Sequence, residues 1–295
     1  MERLAASQTE RDVVIARGTD AIEYLQSQLT QDVDALALGE SAWTFLLTPK
    51  SEVVVLARVT KAADEMVLLD VEEGFGATIA ERIDGLLFRT DVSFETTTWT
   101  SVSYRGTGSQ QIESPGAPIR METPWPGDDG LDVVGPDVTP DSSAELISTE
   151  ELDSLRIRVG WPAMADFDDK TTPAMTGIVS HTVSFTKGCY TGQEFVARVH
   201  YREAAPPRRL VQVGFHPCAK PEAGDPMLLD DTEVGELTTV SNHLPLALGY
   251  LKRSVDVPQE GFVDGSPVCI GELPASQYTR EPRTSPNKVS PLTLG

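Results

Sequence analysis

The secondary-structure pattern of this 295-residue chain changes at the dipeptide Pro206-Pro207. Near the N-terminus, β-branched and amphipathic segments follow in the order β-α-β-β-β-α, which indicates mixed or antiparallel pairing rather than a doubly wound sheet. After the dipeptide, strand-like segments follow one another with turns between them, which is typical of a small β-barrel or sandwich. The pattern therefore predicts an α+β region over residues 1–205 and a separate strand-only domain over residues 206–275.

Local signals locate several elements within this outline. Apolar residues at helical spacing predict helices over residues 21–31 and 75–87. Residues 43–47 and 53–60 are apolar and β-branched on either side of a turn, so we expect a hairpin there. The last residues, 276–295, are polar and contain proline, and this composition predicts a tail without fixed structure.

The charge balance argues against some classes of partner. The chain has 45 acidic and 24 basic side chains, which give a formal net charge of −21. Such a surface repels polyanions, so no direct contact with nucleic acid is expected. The polar start of the sequence lacks the apolar core of a signal peptide, and no apolar run reaches the roughly 20 residues of a membrane helix. We therefore expect no membrane association.

The cysteines and histidines form no pattern of metal ligands. Cys189, Cys218 and Cys269 have neither CxxC nor zinc-finger spacing, and an odd number is a poor basis for a disulfide framework. The four histidines are also not spaced as a zinc site requires. These observations predict a protein without a metal site in a reducing, cytoplasmic compartment.

The most unusual segment is the run KGCYTGQE at residues 187–194. Thr191 and Glu194 have the spacing of a capping box, which predicts a helix that begins at Gly192. Cys189 would then lie just before a helix N-terminus and close to Lys187, and both features stabilise a thiolate. We therefore expect a thiol pKa below the ordinary value of about 8.5. The alternative is that the cysteine is a small buried apolar residue.

This run resembles the K-G-C-[FY]-x-G-Q-[DE] signature of the YgfZ family, the folate-binding relatives of the glycine-cleavage T-protein, an aminomethyltransferase. Three further segments are similar to the family: YLQSQLTQDV at residues 24–33, RIRVGWP at 156–162, and the strands between residues 234 and 250. The resemblance covers roughly residues 10–275.

The resemblance implies a fold and a function. Members have α+β layers around a central, folate-sized channel, followed by a β-barrel. They assist the assembly or repair of iron-sulfur client proteins, including an enzyme that modifies tRNA, and a tetrahydrofolate is the implicated ligand. The motif cysteine, here Cys189, is the residue on which family function centres, and we take it as the catalytic thiol. The residues predicted to bind ligand are Asp32, Lys187, Gly188, Tyr190, Gly192, Gln193, Glu194, Arg198 and Arg202.

The sequence departs from the T-protein where that enzyme carries its catalytic carboxylate. By alignment, the acidic position falls on Val55 or Leu56, which argues against aminomethyl transfer. Acids that would pair with the pterin ring fall on Arg158 and on Ala174 or Met175. Three functions therefore stay open: a folate-binding iron-sulfur accessory protein, a one-carbon transferase, and an interaction module with a degenerate folate pocket.

The state of the pocket would separate these functions. An open pocket lined by Asp32, Tyr190 and Glu194 would favour the accessory protein, and a closed one the interaction module. We also expect Arg198 and Arg202 to make the mouth of the pocket positive, because the glutamate tail of a folate carries carboxylates.

Overall fold

The computed structural model describes residues 3–85, 89–114, 116–201 and 205–277. Five helices occur among them: α1 (Ala21–Gln28), α2 (Gly76–Asp84), α3 (Thr149–Val159), α4 (Val179–Thr182) and α5 (Gln193–Tyr201). The strands of the first region are β1 (Ala5–Arg17), β2 (Ser41–Leu47), β3 (Val53–Ala63), β4 (Met66–Glu72), β5 (Ser93–Arg105), β6 (Ile119–Glu122), β7 (Gly130–Gly135) and β8 (Glu145–Leu146).

These strands form one eight-stranded sheet in the order β2-β3-β4-β1-β5-β7-β6. The strands of this path pair antiparallel, whereas the short β8 joins β1 in parallel. The predicted hairpin is β2–β3, in which Trp43 lies opposite Arg58. The α+β class and the exclusion of a doubly wound sheet are confirmed.

The two N-terminal helices cover one face of the sheet. Val14 and Ala16 of β1 point to this face and are fully buried with apolar residues of α1 and α2. Successive side chains of a strand point to opposite faces. Thr9 and Arg11 of β1 accordingly belong to the other face, where a cavity lies.

Two predicted helices are longer than those observed. The helix predicted over residues 21–31 ends at Gln28, because Leu29 forms an isolated bridge with Leu46 and the N–H of the next residue donates to Phe45 O. The helix predicted over residues 75–87 spans Gly76–Asp84, and its last two predicted residues lie outside the described part of the chain.

The second region is a closed six-stranded barrel, as the strand-only pattern predicted. Its strands are β9 (Arg208–Phe215), β10 (Pro226–Leu229), β11 (Thr232–Val240), β12 (Leu246–Lys252), β13 (Gln259–Val263) and β14 (Ser266–Gly271). The strand β9 pairs with β12 and β14. The barrel has its own apolar core, which includes Val211, Val213 and Met227.

The chain after the barrel returns to the first region. Leu273 and Ala275 are buried in its core, and a 3₁₀ turn covers Pro274–Gln277. The predicted tail 276–295 therefore begins inside this turn, and its residues from 278 onward lie outside the described part. Among the described residues, no helix is both long and apolar enough to cross a lipid bilayer.

Candidate functional site

A cavity of about 280 Å³ lies against the sheet face opposite α1 and α2. Its lining comes from β1, β2, β3, β4, β5, β7, α3 and the loops around residues 125 and 162. The lining residues are Thr9, Glu10, Arg11, Trp43, Leu56, Arg58, Glu72, Glu73, Ser101, Ser103, Trp125, Asp132, Thr149, Leu152, Asp153, Arg156, Trp161, Pro162 and Ala163.

The base of the cavity is a buried ion-pair network. Arg58, which is 1% exposed, donates through Nη2 to Asp70 Oδ1 at 2.6 Å and through Nη1 to Asp132 Oδ2 at 2.7 Å. Arg11 also pairs with Asp70, and Arg105 Nη1 donates to Asp132 Oδ1 at 2.8 Å. Each buried carboxylate therefore faces two guanidinium groups.

The network keeps its aspartates ionised. Burial alone would raise the pKa of Asp70, but Arg58 and Arg11 hold it below its ordinary value. Arg105 and Arg58 likewise hold the pKa of Asp132 down against the effect of burial. Neither aspartate has a proton to offer a ligand at neutral pH, so the network is a fixed, charged floor.

Tryptophans form the walls above this floor. The rings of Trp43 and Trp161 lie 5.1 Å apart at 44°. Trp43 Nε1 donates to Pro124 O at 2.7 Å, and the guanidinium of Arg105 lies 3.9 Å from the ring centre of Trp125. Flat, oriented aromatic surfaces of this kind suit a planar heterocycle.

Carboxylates lie at the opening of the cavity. Glu10 and Glu73 are exposed, and Asp153 on α3 is half-exposed. The partly buried Glu72 accepts a hydrogen bond from Met164 N at 2.9 Å through Oε1, which orients the carboxylate and leaves Oε2 for a donor on a ligand.

Val55 and Leu56 are the two residues on which the alignment places the T-protein carboxylate. Leu56 is 3% exposed and lines the cavity, whereas Val55 is fully buried. Both side chains are apolar.

The motif segment presents Cys189 between two buried anchors. Lys187 and Tyr190 are 8% and 7% exposed, whereas Gly188 and Cys189 between them are exposed. The ammonium of Lys187 donates to three carbonyl oxygens, those of Gln26 (2.6 Å), Leu29 (2.8 Å) and Gln31 (2.8 Å). This accounts for all three N–H donors of the lysine and ties the motif to the end of α1.

The burial of these anchors changes their acid–base behaviour. Burial lowers the pKa of Lys187 to about 8, although the charge of Asp32 opposes this shift. Burial also raises the pKa of Tyr190 to about 12, so its phenol stays neutral. Because its donors face carbonyls, Lys187 fixes the position of the motif segment and has no N–H left for the thiol or for a ligand.

Replacement of Lys187 by methionine should lower the free energy of unfolding by about 3 kcal/mol, because three carbonyl acceptors lose a charged donor. Chemical denaturation would measure the change. Lys220→Met, at an exposed lysine, is the matched control and should change stability by less than about 0.5 kcal/mol. Equal, small effects of both variants would show that the lysine does not hold the segment.

The helix that follows differs from the predicted capping arrangement. It begins at Gln193 rather than Gly192, and Thr191 Oγ1 hydrogen-bonds to Gln28 Oε1 at 3.2 Å instead of capping it. Gly192 has φ of +83°, and a Cβ there would lie 2.7 Å from Thr48 O, so the position requires glycine for backbone reasons.

The predicted ligand residues do not line the cavity. Asp32 accepts a hydrogen bond from Gln26 Nε2 at 2.8 Å, and Glu194 forms an exposed ion pair with Arg198, also at 2.8 Å. Arg202 lies outside the described residues. None of Asp32, Lys187, Gly188, Tyr190, Gly192, Gln193, Glu194 and Arg198 is a lining residue. The motif packs against the end of α1 instead, and the ligand site assigned to these residues stays a prediction.

The positive mouth predicted from Arg198 and Arg202 stays a prediction, because Arg202 lies outside the described residues. Arg198 lies on an exposed face of α5, and its charge is shared with Glu194, whereas the residues at the opening are carboxylates. Sequence reasoning missed Glu72, Asp153 and the tryptophans as cavity residues. The polar residues Asp70 and Glu72, two apart on an otherwise apolar strand, were an available signal.

Exposure does not distinguish the motif cysteine from the others. Cys189, Cys218 and Cys269 are all exposed and free. Cys269 is exposed because Val268 and Ile270 take the inward positions of β14. Within the described residues, no three His, Cys, Asp or Glu side chains come together as a metal site.

Comparison with known protein sequences finds relatives of low identity or partial coverage. The chain is 27% identical to an uncharacterized protein of Haemophilus influenzae over 67% of this chain and 69% of that protein. It is 36% identical to the tRNA-modifying protein YgfZ of Escherichia coli, over only 29% of this chain and 27% of that protein. No protein-family profile matches the chain.

The fold resembles the glycine cleavage system aminomethyltransferase T of Bartonella henselae, with a TM-score of 0.77 over 95% of this chain and 89% of that one. The sequence identity to it is 18%. The chain therefore has the aminomethyltransferase T fold, and part of its sequence is similar to YgfZ. Its mixed helix and sheet region is followed by a closed six-stranded barrel.

Proposed function

We propose that this YgfZ-like protein binds a reduced folate in the cavity and supports the assembly or repair of iron-sulfur client proteins, with Cys189 as the thiol that acts. The observation that carries the proposal is a tryptophan-walled cavity of about 280 Å³. The cavity can hold a ring, but Val55 and Leu56, on which the alignment places the T-protein carboxylate, are both apolar.

The lining fits a reduced pterin. Its amino group and ring N–H groups are donors, and Glu72 offers an oriented carboxylate for them. Trp43 and Trp125, which are 8% and 7% exposed, contribute aromatic surface to the cavity wall for the bicyclic ring. In this chain the positions of the family acids hold Arg158, which is exposed, and Ala174. Glu72 is therefore the carboxylate that would pair with the pterin in their place.

The two rival functions have less support. A one-carbon transferase would need a carboxylate where Leu56 lies. An interaction module with a degenerate pocket is disfavoured by a cavity of about 280 Å³ whose base is a buried ion-pair network. The link to iron-sulfur clients and to a cytoplasmic site of action rests on the family resemblance, and the relative from Escherichia coli is named as a tRNA-modifying protein.

The decisive experiment is a calorimetric titration of the protein with tetrahydrofolate under reducing conditions. In the variant Glu72→Gln, Oε1 can still accept from Met164 N, but the charge that pairs with the pterin donors is lost. We expect the Kd to rise about 10- to 100-fold, as for the loss of a charged hydrogen bond.

The matched control is Glu233→Gln on the barrel, an exposed glutamate outside the cavity, which should leave the Kd unchanged. An absence of tetrahydrofolate binding by the unmodified protein would contradict the proposal. Equal affinities of the unmodified protein and the Glu72→Gln variant would show that the ligand does not use this carboxylate.

A further inference from the structure

The positive charges of the cavity lining are already neutralised from within the protein. Arg11 pairs with Asp70, and Arg58 pairs with Asp70 and Asp132. Arg156 pairs with Asp166 at 3.1 Å and with Asp153 at 2.6 Å. Asp70 and Asp166 have no exposed side-chain surface, so these partners are permanent.

Two negative charges at the opening have no ion-pair partner among the described lining residues. These are the exposed Glu10 and Glu73, whereas Asp153 is paired with Arg156 and Glu72 faces inward. The lining residues include no lysine, and their three arginines are the paired ones. A ligand at the opening therefore meets a negative field, which the net charge of −21 reinforces.

The size of the cavity decides which part of a folate meets this field. A volume of about 280 Å³ is at the lower end of the range for ligand pockets, roughly 300–1,000 Å³. It holds the bicyclic ring, so the aminobenzoyl group and the glutamate tail extend through the opening. Each further glutamate of a polyglutamylated folate adds a carboxylate beside Glu10 and Glu73.

We propose that the cavity selects reduced pterins and folates with short tails and rejects polyglutamylated folates, with Glu10 and Glu73 as specificity-determining residues. This inference rests on the proposed folate function. The sequence predicted a positively charged mouth that would hold the glutamate tail. In this inference the opening is negatively charged and repels the tail.

The test compares three ligands by calorimetry at low ionic strength: 6-methyltetrahydropterin, tetrahydrofolate with one glutamate, and tetrahydrofolate with five. We expect the pentaglutamate to bind at least about tenfold more weakly than the monoglutamate. Because exposed charges are screened by salt, the difference should shrink at 0.5 M salt. The pterin without a tail should bind at least as tightly as the monoglutamate.

A double variant, Glu10→Gln with Glu73→Gln, should recover most of the lost pentaglutamate affinity. The control, Glu233→Gln with Glu236→Gln on the exposed side of β11, changes the net charge equally and should not. Tighter or equal binding of the pentaglutamate, or equal effects of the two double variants, would overturn the inference alone. Failure of all three ligands to bind would overturn both this inference and the proposed function.

Discussion

Replacement of Arg58 by methionine should lower the free energy of unfolding by about 3–5 kcal/mol. The guanidinium is the central member of the buried network, because it donates to both Asp70 and Asp132. Methionine fills a similar volume but leaves two buried carboxylates with one guanidinium partner each. Chemical denaturation of both proteins at the same pH measures the difference.

Arg198→Met is the matched control. Arg198 is paired with Glu194, but both side chains are largely exposed, so the loss should be below about 1 kcal/mol. If Arg58→Met were no more destabilising than this control, the network would not contribute to the free energy of unfolding. Its role would then be confined to ligand binding.

The same buried network makes the free energy of unfolding depend on pH. In the unmodified protein, Asp70 and Asp132 have folded-state pKa values below the unfolded value of about 3.9. Their stabilising effect is therefore complete above about pH 4 and is lost as the pH falls through the folded values. Loss of Arg58 removes one of the two charges that lower each pKa, so the folded-state pKa values move closer to the unfolded value. The deficit of Arg58→Met should therefore be smaller below about pH 4 than at pH 7.5.

The parts of the fold that depend on local pattern could be predicted from the sequence. The β2–β3 hairpin and the start of α5, one residue later than predicted, depend on residues close together in the chain. The barrel was predicted from successive strand-like segments with no helical segment between them. The end of α1 was missed because it depends on a bridge between Leu29 and Leu46, which lie in separate elements.

The cavity could not be predicted in this way, because strand order and register assemble it. Arg58 and Asp132 are 74 positions apart, and Glu72 is 92 positions from Met164, whose N–H orients it. Lys187 was misinterpreted for a different reason. Its partners are backbone carbonyls, which every residue has, so no pattern of side chains in the sequence marks them.

Replacement of Cys189 by serine should abolish rescue of an iron-sulfur enzyme that modifies tRNA, in cells that lack this protein. Serine preserves size and polarity but removes the soft ligand and nucleophile. Because the side chain is exposed, the free energy of unfolding should change by less than about 0.5 kcal/mol. The readouts are the amount of modified tRNA and chemical denaturation of the purified variant.

The chain supplies its own controls for this experiment. Cys218→Ser and Cys269→Ser remove cysteines that are equally free and exposed, but neither lies between anchors such as Lys187 and Tyr190. Both should rescue fully. Full rescue by Cys189→Ser would mean that the motif serves only to join α1 to α5. Loss of rescue only with Cys189→Ser, at unchanged stability, would show that the anchors exist to present this thiol, since exposure alone is common to all three cysteines.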